Sequence, residues 1–200
     1  MQKNLGITPA QTIGPFAAPV MTPNETGKVN YDWRQLVGND LVTPDAVGDR
    51  IRIEGRMLDG DDAPVDGILF EIWQADGQGR YAHPRDPNRS NAAFKGFGRA
   101  ESDPSGRFVF DTVKPGRVAG PNGTMQAPHL LVAIHMRGIL SHLFTRIYFS
   151  DEASNAGDPI LALVPAERRD TIIATRDPSA AVYRIDFRIQ GTRETVFFDL

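Results

Sequence analysis

Residues 129–136 read His129-Leu130-Leu131-Val132-Ala133-Ile134-His135-Met136. In an extended chain successive side chains point to opposite faces, so Leu130, Val132, Ile134 and Met136 share one side. The stretch is a strand with one apolar face, and the same period recurs on both sides of it. Upstream, Ile51-Arg52-Ile53-Glu54 alternates, and Arg107 to Val113 puts Phe108 and Phe110 on one face. Ile68 to Trp73 is apolar on both faces, as in a central strand between two packed layers. Downstream come Ser141 to Phe149, Val182 to Ile189, and a closing segment, Glu194 to Leu200, with Val196, Phe197 and Phe198. Turn signals separate the runs at Asp59-Gly60, Asp66-Gly67, Asp76-Gly77 and Ser105-Gly106. Only Pro165 to Arg176 reads as helical: Pro165 suits a first-turn position, and Ile172 and Ile173 supply a buried side. About seven short strands with turns between them predict an all-β chain, a β-sandwich with one short helix.

Residues 1–50 break this pattern. Pro9, Pro15, Pro19, Pro23 and Pro44 punctuate them, each fixing φ and removing a donor. Leu5, Ile7, Ile13, Phe16, Val20, Trp33 and Leu36 make the segment too apolar for a disordered tail. It reads as a long irregular N-terminal arm, with a helical turn or two over Tyr31 to Val37, that wraps its own domain or packs on a neighbour. With no internal repeat and no linker, residues 1–200 read as one domain: arm 1–50 and sandwich 51–200.

The 200 residues contain no cysteine, which excludes disulfides, thiolate metal sites and cysteine nucleophiles and fits a reducing cytoplasm. Residues 1–13 hold no long apolar run of the signal-peptide kind, and no stretch approaches the roughly 20 apolar residues that span a bilayer. A net charge of -3 argues against broad nucleic-acid binding.

Candidate chemistry is sparse. Neither a Gly-x-Ser-x-Gly elbow, a phosphate-binding loop nor a dinucleotide fingerprint occurs. Asp59 to Asp62 lacks the glycine and distal glutamate of an EF-hand and reads as a solvated turn. His129 and His135 lie six residues apart on one strand, roughly 20 Å, and cannot share a metal. Tyr81-Ala82-His83 could offer two ligands from one face if extended. A turn-flanking pair after Gly79-Arg80 is the plainer reading.

The order of local motifs adds more. Thr12-Ile13-Gly14-Pro15-Phe16 is followed by Glu71-Ile72-Trp73-Gln74-Ala75-Asp76, Gly79-Arg80-Tyr81, Phe97-Gly98-Arg99 and Val113-Lys114-Pro115-Gly116. Then come Ala127-Pro128-His129, Arg146-Ile147-Tyr148-Phe149, Tyr183-Arg184-Ile185-Asp186-Phe187 and Thr195-Val196-Phe197-Phe198-Asp199. Across nearly the whole chain this series resembles the intradiol ring-cleavage dioxygenases. The resemblance implies O2-dependent cleavage of a catechol at a ferric ion held by two tyrosines and a His-x-His pair. Phenolate oxygens are hard donors suited to Fe(III), and alternate strand residues can grip one ion.

Against that pattern the chain departs. His129 stands at the first histidine place and Leu131 at the second; Arg117 and Val118 stand where one tyrosine is expected, and His83 to Asn91 holds no tyrosine for the other. The departure matches the iron-free chain of the two-chain members, whose homologous beta partner carries Fe(III) and whose substrate is protocatechuate. On this reading the chain alone is inactive and holds no metal, with Val118, His129 and Leu131 as degenerate ligand positions. Gly14 and Pro15 resemble residues that line the shared substrate cavity, and an ordinary Gly-Pro turn is the alternative. Arg137 matches an arginine at the cavity mouth that would attract an anionic substrate; a solvated strand-end arginine is its alternative. Two rivals are a non-enzymatic β-sandwich binding or assembly module and a self-sufficient metalloenzyme using His83 or His129.

Overall fold

The computed structural model describes residues 12–14, 21–22, 37–86, 88–89 and 93–199. Among these the strands are β1 (Arg50–Leu58), β2 (Leu69–Trp73), β3 (Phe97–Glu101), β4 (Arg107–Val113), β5 (Val118–Ala119) and β6 (Met125–Gln126). They continue with β7 (His129–His135), β8 (Leu143–Phe149), β9 (Ile173–Arg176), β10 (Val182–Arg184) and β11 (Phe187–Arg188). Hydrogen-bonded neighbours run β4-β1-β10-β9-β8-β7-β2-β3; β11 also pairs with β1, and β5 pairs with β6. The ends of that path, β3 and β4, are consecutive in the chain. Their connecting turn is fixed by Asp103, whose Oδ1 accepts from the Ser105 and Arg107 amides at 2.8 and 3.0 Å. The sheet therefore folds over on itself, nearly closing, as two layers around one core.

The inward residues of the alternating runs fill that core. Phe70 of β2 meets Phe108 of β4 with ring centroids 4.4 Å apart, and Phe187 stacks on both. Ile53, Phe70, Ile72, Phe108, Phe110, Leu130, Val132 and Ile134 are all buried, each worth about 1.5–3 kcal/mol of apolar transfer. Two buried polar residues of the Glu71–Asp76 motif are fully partnered, as burial demands. Gln74 donates to the Ala75 and Val113 carbonyls and accepts from Thr112. Asp76 takes the Arg80 guanidinium in a fork at 2.8 and 2.9 Å and also the Gln78 and Arg80 amides.

The described part of the arm packs on the chain's own sheet. Leu41 enters the core; its amide donates to the Asp111 carbonyl, and the Asn39 carbonyl accepts from the Asp111 amide. Thr22 is buried and donates to Glu101 of β3 at 2.9 Å. Tyr31 and the rest of the turn expected before Val37 lie outside the described residues.

Four expectations change. The segment 165–176 is not one helix: Pro165 caps a 3-10 segment, Ala166–Ile172, and Ile173–Arg176 is β9. Its β-branched Ile172-Ile173 pair suits the strand start. The run Val182 to Ile189 is broken at Ile185-Asp186, because the chain must cross from one part of β1 to the next. The Ile185 amide donates to the Glu54 carbonyl, while Asp186 accepts from the Arg56 amide and guanidinium. Glu194 to Leu200 makes one bridge, Phe198 to Phe144, and no strand over its described residues. Phe97–Glu101 forms β3, although the alternation had not marked it. Asp59 to Asp62 is a turn, with Asp59 Oδ1 accepting from the Asp61 and Ala63 amides.

Candidate functional site

The outward face of β7 carries His129, Leu131, Ala133 and His135. Strand register sets their neighbours: Leu131 lies between Trp73 of β2 and Arg146 of β8, and His129 lies opposite Tyr148 of β8. On the short hairpin, Val118 of β5 lies opposite Gln126 of β6. Leu131, His129 and Val118, the positions that the family resemblance marks as degenerate ligands, thus have Arg146, Tyr148 and Gln126 as cross-strand neighbours.

These three neighbours bond to one another. Arg146 Nη1 donates to Gln126 Oε1 at 2.7 Å and to Tyr148 Oη at 3.1 Å, and Tyr148 Oη donates to Asp158 Oδ1 at 3.1 Å. Asp158, 1% exposed, also accepts from the Ala127, Ile160 and Leu161 amides at 2.7–2.9 Å. It thereby ties the Ala127-Pro128-His129 entry to β7 to the 3-10 turn Leu161–Leu163. Ala127, Tyr148, Leu161, Val164 and Ile172 form a second apolar cluster behind the network. Burial raises the Tyr148 phenol well above its ordinary value.

His129 is buried, and its Nδ1 lies 2.8 Å from the Ala127 carbonyl oxygen. A carbonyl only accepts, so Nδ1 carries the proton and Nε2 keeps its lone pair. Burial, helped by the positive charge of Arg146, lowers its pKa to about 4, so the ring is neutral near pH 7. It is a packed, hydrogen-bonded histidine.

Beside this face is an aromatic cavity of about 400 Å³, lined by Trp73, His83, Lys95, Phe97, Leu131 and Ala133. Tyr81 and His83 both turn to Trp73, with ring centroids 5.2 and 6.0 Å from it. Trp73, expected inside the sheet, is 40% exposed at this rim. His83 is exposed, and its Nδ1 accepts from the Arg85 amide at 3.2 Å. Among the described residues, no group of three His, Cys, Asp or Glu is placed to hold a metal. One imidazole with two aliphatic side chains, Val118 and Leu131, is not a donor set that fits ferric iron.

Arg137 is exposed immediately after β7. The next amide, Gly138 N–H, donates to Thr12 Oγ1 at 2.9 Å, and Ile13 packs in a small cavity with Met136, Ile139 and Leu140. The arm is therefore pinned beside Arg137, with exposed Gly14 following at once; Pro15 lies outside the described residues. The family resemblance assigned Gly14 and Arg137 to a cavity shared with a partner, and sequence reasoning missed the network of Arg146, Tyr148 and Asp158. The signal existed: Ile147 and Phe149 are the inward residues of β8, which turns Arg146 and Tyr148 to the face of His129.

Comparison with known proteins gives consistent relatives. The family model described as dioxygenase matches residues 26–191. The chain is 45% identical over 199 residues to the protocatechuate 3,4-dioxygenase alpha chain of Burkholderia cepacia, covering 96% of this chain and 97% of that one. It is 32% identical over 193 residues to the beta chain from the same organism, covering 89% and 79%. In fold it is similar to the intradiol ring-cleavage dioxygenase of Tetranychus urticae, with a TM-score of 0.60 at 18% identity over 96% of this chain and 98% of that one.

Proposed function

The chain belongs to the intradiol ring-cleavage dioxygenase family, and we propose that it is the iron-free alpha subunit of a protocatechuate 3,4-dioxygenase. Its part is to complete the active-site cavity of a homologous beta subunit that holds Fe(III). The complex would open protocatechuate with O2 between its two hydroxylated carbons, giving 3-carboxy-cis,cis-muconate. The observation that carries this reading is the combination of high similarity to an alpha chain with apolar Val118 and Leu131 at two ligand places. The kinship to a beta chain supports a partner built on the same fold.

In that assembly the metal, when bound, would activate the ring for attack by oxygen. This chain supplies a wall and a field. The arm at Thr12–Gly14, pinned to Gly138, and Arg137 beside it form one edge of the chain. A guanidinium there, always charged near neutral pH, attracts a carboxylate-bearing catechol and sets its approach.

The test compares this chain made alone with the chain made together with its beta partner. The expected result is no stoichiometric iron, no visible tyrosinate-to-iron absorption and no ring cleavage from the lone chain, and one iron per pair with activity in the complex. Iron and turnover on the lone chain would overturn the reading and favour the self-sufficient metalloenzyme. A folded chain that pairs with no such partner would favour a binding module.

A further inference from the structure

We propose that Arg146 is a resident cation standing where a metal ion would stand on this chain, and that its guanidinium, beyond the missing ligands, keeps metal ions out. The inference rests on the iron-free reading above and adds a cause to it.

Two strand pairings, β7 with β8 and β5 with β6, locate the guanidinium. Arg146 is the cross-strand neighbour of Leu131. Its Nη1 reaches along the sheet to Tyr148, the neighbour of His129, and to Gln126, the neighbour of Val118. A metal bound by side chains at 118, 129 and 131 would have to lie among those same three positions. Two hydrogen bonds hold the charged head of Arg146 against Gln126 and Tyr148, the cross-strand neighbours of two of those positions.

The surroundings are tuned to a cation that cannot leave. Tyr148 passes the interaction to Asp158, a buried carboxylate with three backbone donors of its own. Arginines elsewhere on the sheet form ion pairs, such as Arg52 with Asp111 or Arg99 with Glu71, whereas Arg146 makes none among the described residues. Its charge is thus spread over dipoles instead of being cancelled at contact, and a second cation would meet it directly. The Nε2 of His129, with no hydrogen-bond partner among the described residues, remains a lone-pair donor, so a single added histidine at Leu131 recreates the His-x-His pair on β7.

That makes the idea testable with cobalt(II) as the probe. Heteromers are assembled with Leu131→His alone, with Leu131→His plus Arg146→Gln, and with Leu131→His plus Arg146→Lys. Cobalt and iron per αβ pair are counted after equilibrium dialysis, and circular dichroism checks the fold. Arg146→Met replaces Arg146→Gln if the latter fails to assemble. The expected result is that removing the charge gives one bound cobalt per pair at least about tenfold tighter than Leu131→His alone, a difference of about 1.4 kcal/mol. Arg146→Lys, which keeps the charge, stays as weak as Leu131→His alone. Equal binding with and without Arg146, tight binding by the lysine variant, or no cobalt on any of them overturns the proposal. Iron already present on this chain in the native heteromer would instead overturn the iron-free reading itself.

Discussion

The carbonyl oxygen of Arg117 occupies the space that a β-carbon on Gly79 would need. Gly79 also has φ +74°, a region that side-chain-bearing residues avoid. The contact packs the Gly79-Arg80-Tyr81 turn against the Lys114-Pro115-Gly116 loop just before β5. Gly79→Ala is expected to cost about 3 kcal/mol or more, since strain and collision add. Gly67→Ala, at φ +65° with open space around it, is expected to cost only about 1 kcal/mol. Urea melts of the two variants check the difference.

Lys114 is mostly buried, and burial alone would lower its pKa. Hydrogen bonds from its ammonium to Glu152 at 2.7 Å and to both oxygens of Asp151 at 3.1 Å raise it to about 12. Lys114→Met leaves these carboxylates facing each other and is expected to destabilise by about 2 kcal/mol. The loss should be smaller when Asp151 is also replaced by Asn, which denaturant melts of the single and double variants would show.

His129 links stability to pH with a definite sign. Its folded pKa, about 4, lies below the ordinary 6.5. Above pH 6.5 the ring is neutral in both states and its contribution is complete. As pH falls from 6.5 towards 4 the unfolded chain takes up a proton that the folded chain refuses, so stability drops, on the order of 3 kcal/mol in all. His129→Gln should remove that part of the slope. Melting temperatures of the two proteins at intervals between pH 7.5 and 4.5 check it, and parallel curves would contradict it.

Arg137 makes a kinetic prediction on the assembled enzyme. Arg137→Ala should lower kcat/KM for protocatechuate more than for catechol, which lacks the carboxylate. The gap should narrow between about 0.05 and 0.5 M salt, where the screening length falls several-fold. An equal loss for both substrates with poorer assembly would place Arg137 in the subunit contact instead.

Removing residues 1–20 should leave the sandwich folded but weaken assembly, because it deletes the Thr12 anchor on Gly138. Obligate interfaces are comparatively large and apolar, often above about 2,000 Å². Analytical ultracentrifugation of the truncated heteromer checks this, and unchanged assembly would refute it.

The period-two pattern made most of the sheet legible. Leu130, Val132 and Ile134, and likewise Phe108 and Phe110, are inward as alternation requires. It failed where backbone pairing overrides side-chain pattern. Phe97–Glu101 pairs with β2 through its main chain although Gly98 offers no side chain. The 182–189 run breaks because Gly55 of β1 lets the Ile185 carbonyl approach its backbone. The site was half legible. That Val118 and Leu131 are apolar where the resemblance expects metal donors can be read from the sequence. The Arg146–Tyr148–Asp158 chain cannot, since Asp158 is brought to Tyr148 by the loop that follows β8, and that approach has no periodic signature.

The parallel pairing of β1 with β10 and β11 has a bearing on how the polypeptide is born. Arg52 of the first strand is registered with Val182, and Leu58 with Arg188. A nascent chain emerging from the ribosome can make the β1–β4 hairpin-like pair early, but one edge of β1 waits for residues 182–188 to be translated. Contacts across so long a separation form slowly, because the loop must close before they reward it. Until those residues emerge, that edge is an open row of backbone donors and acceptors of the kind that invites mispairing. The sheet therefore cannot be complete before residues 182–188 have been made.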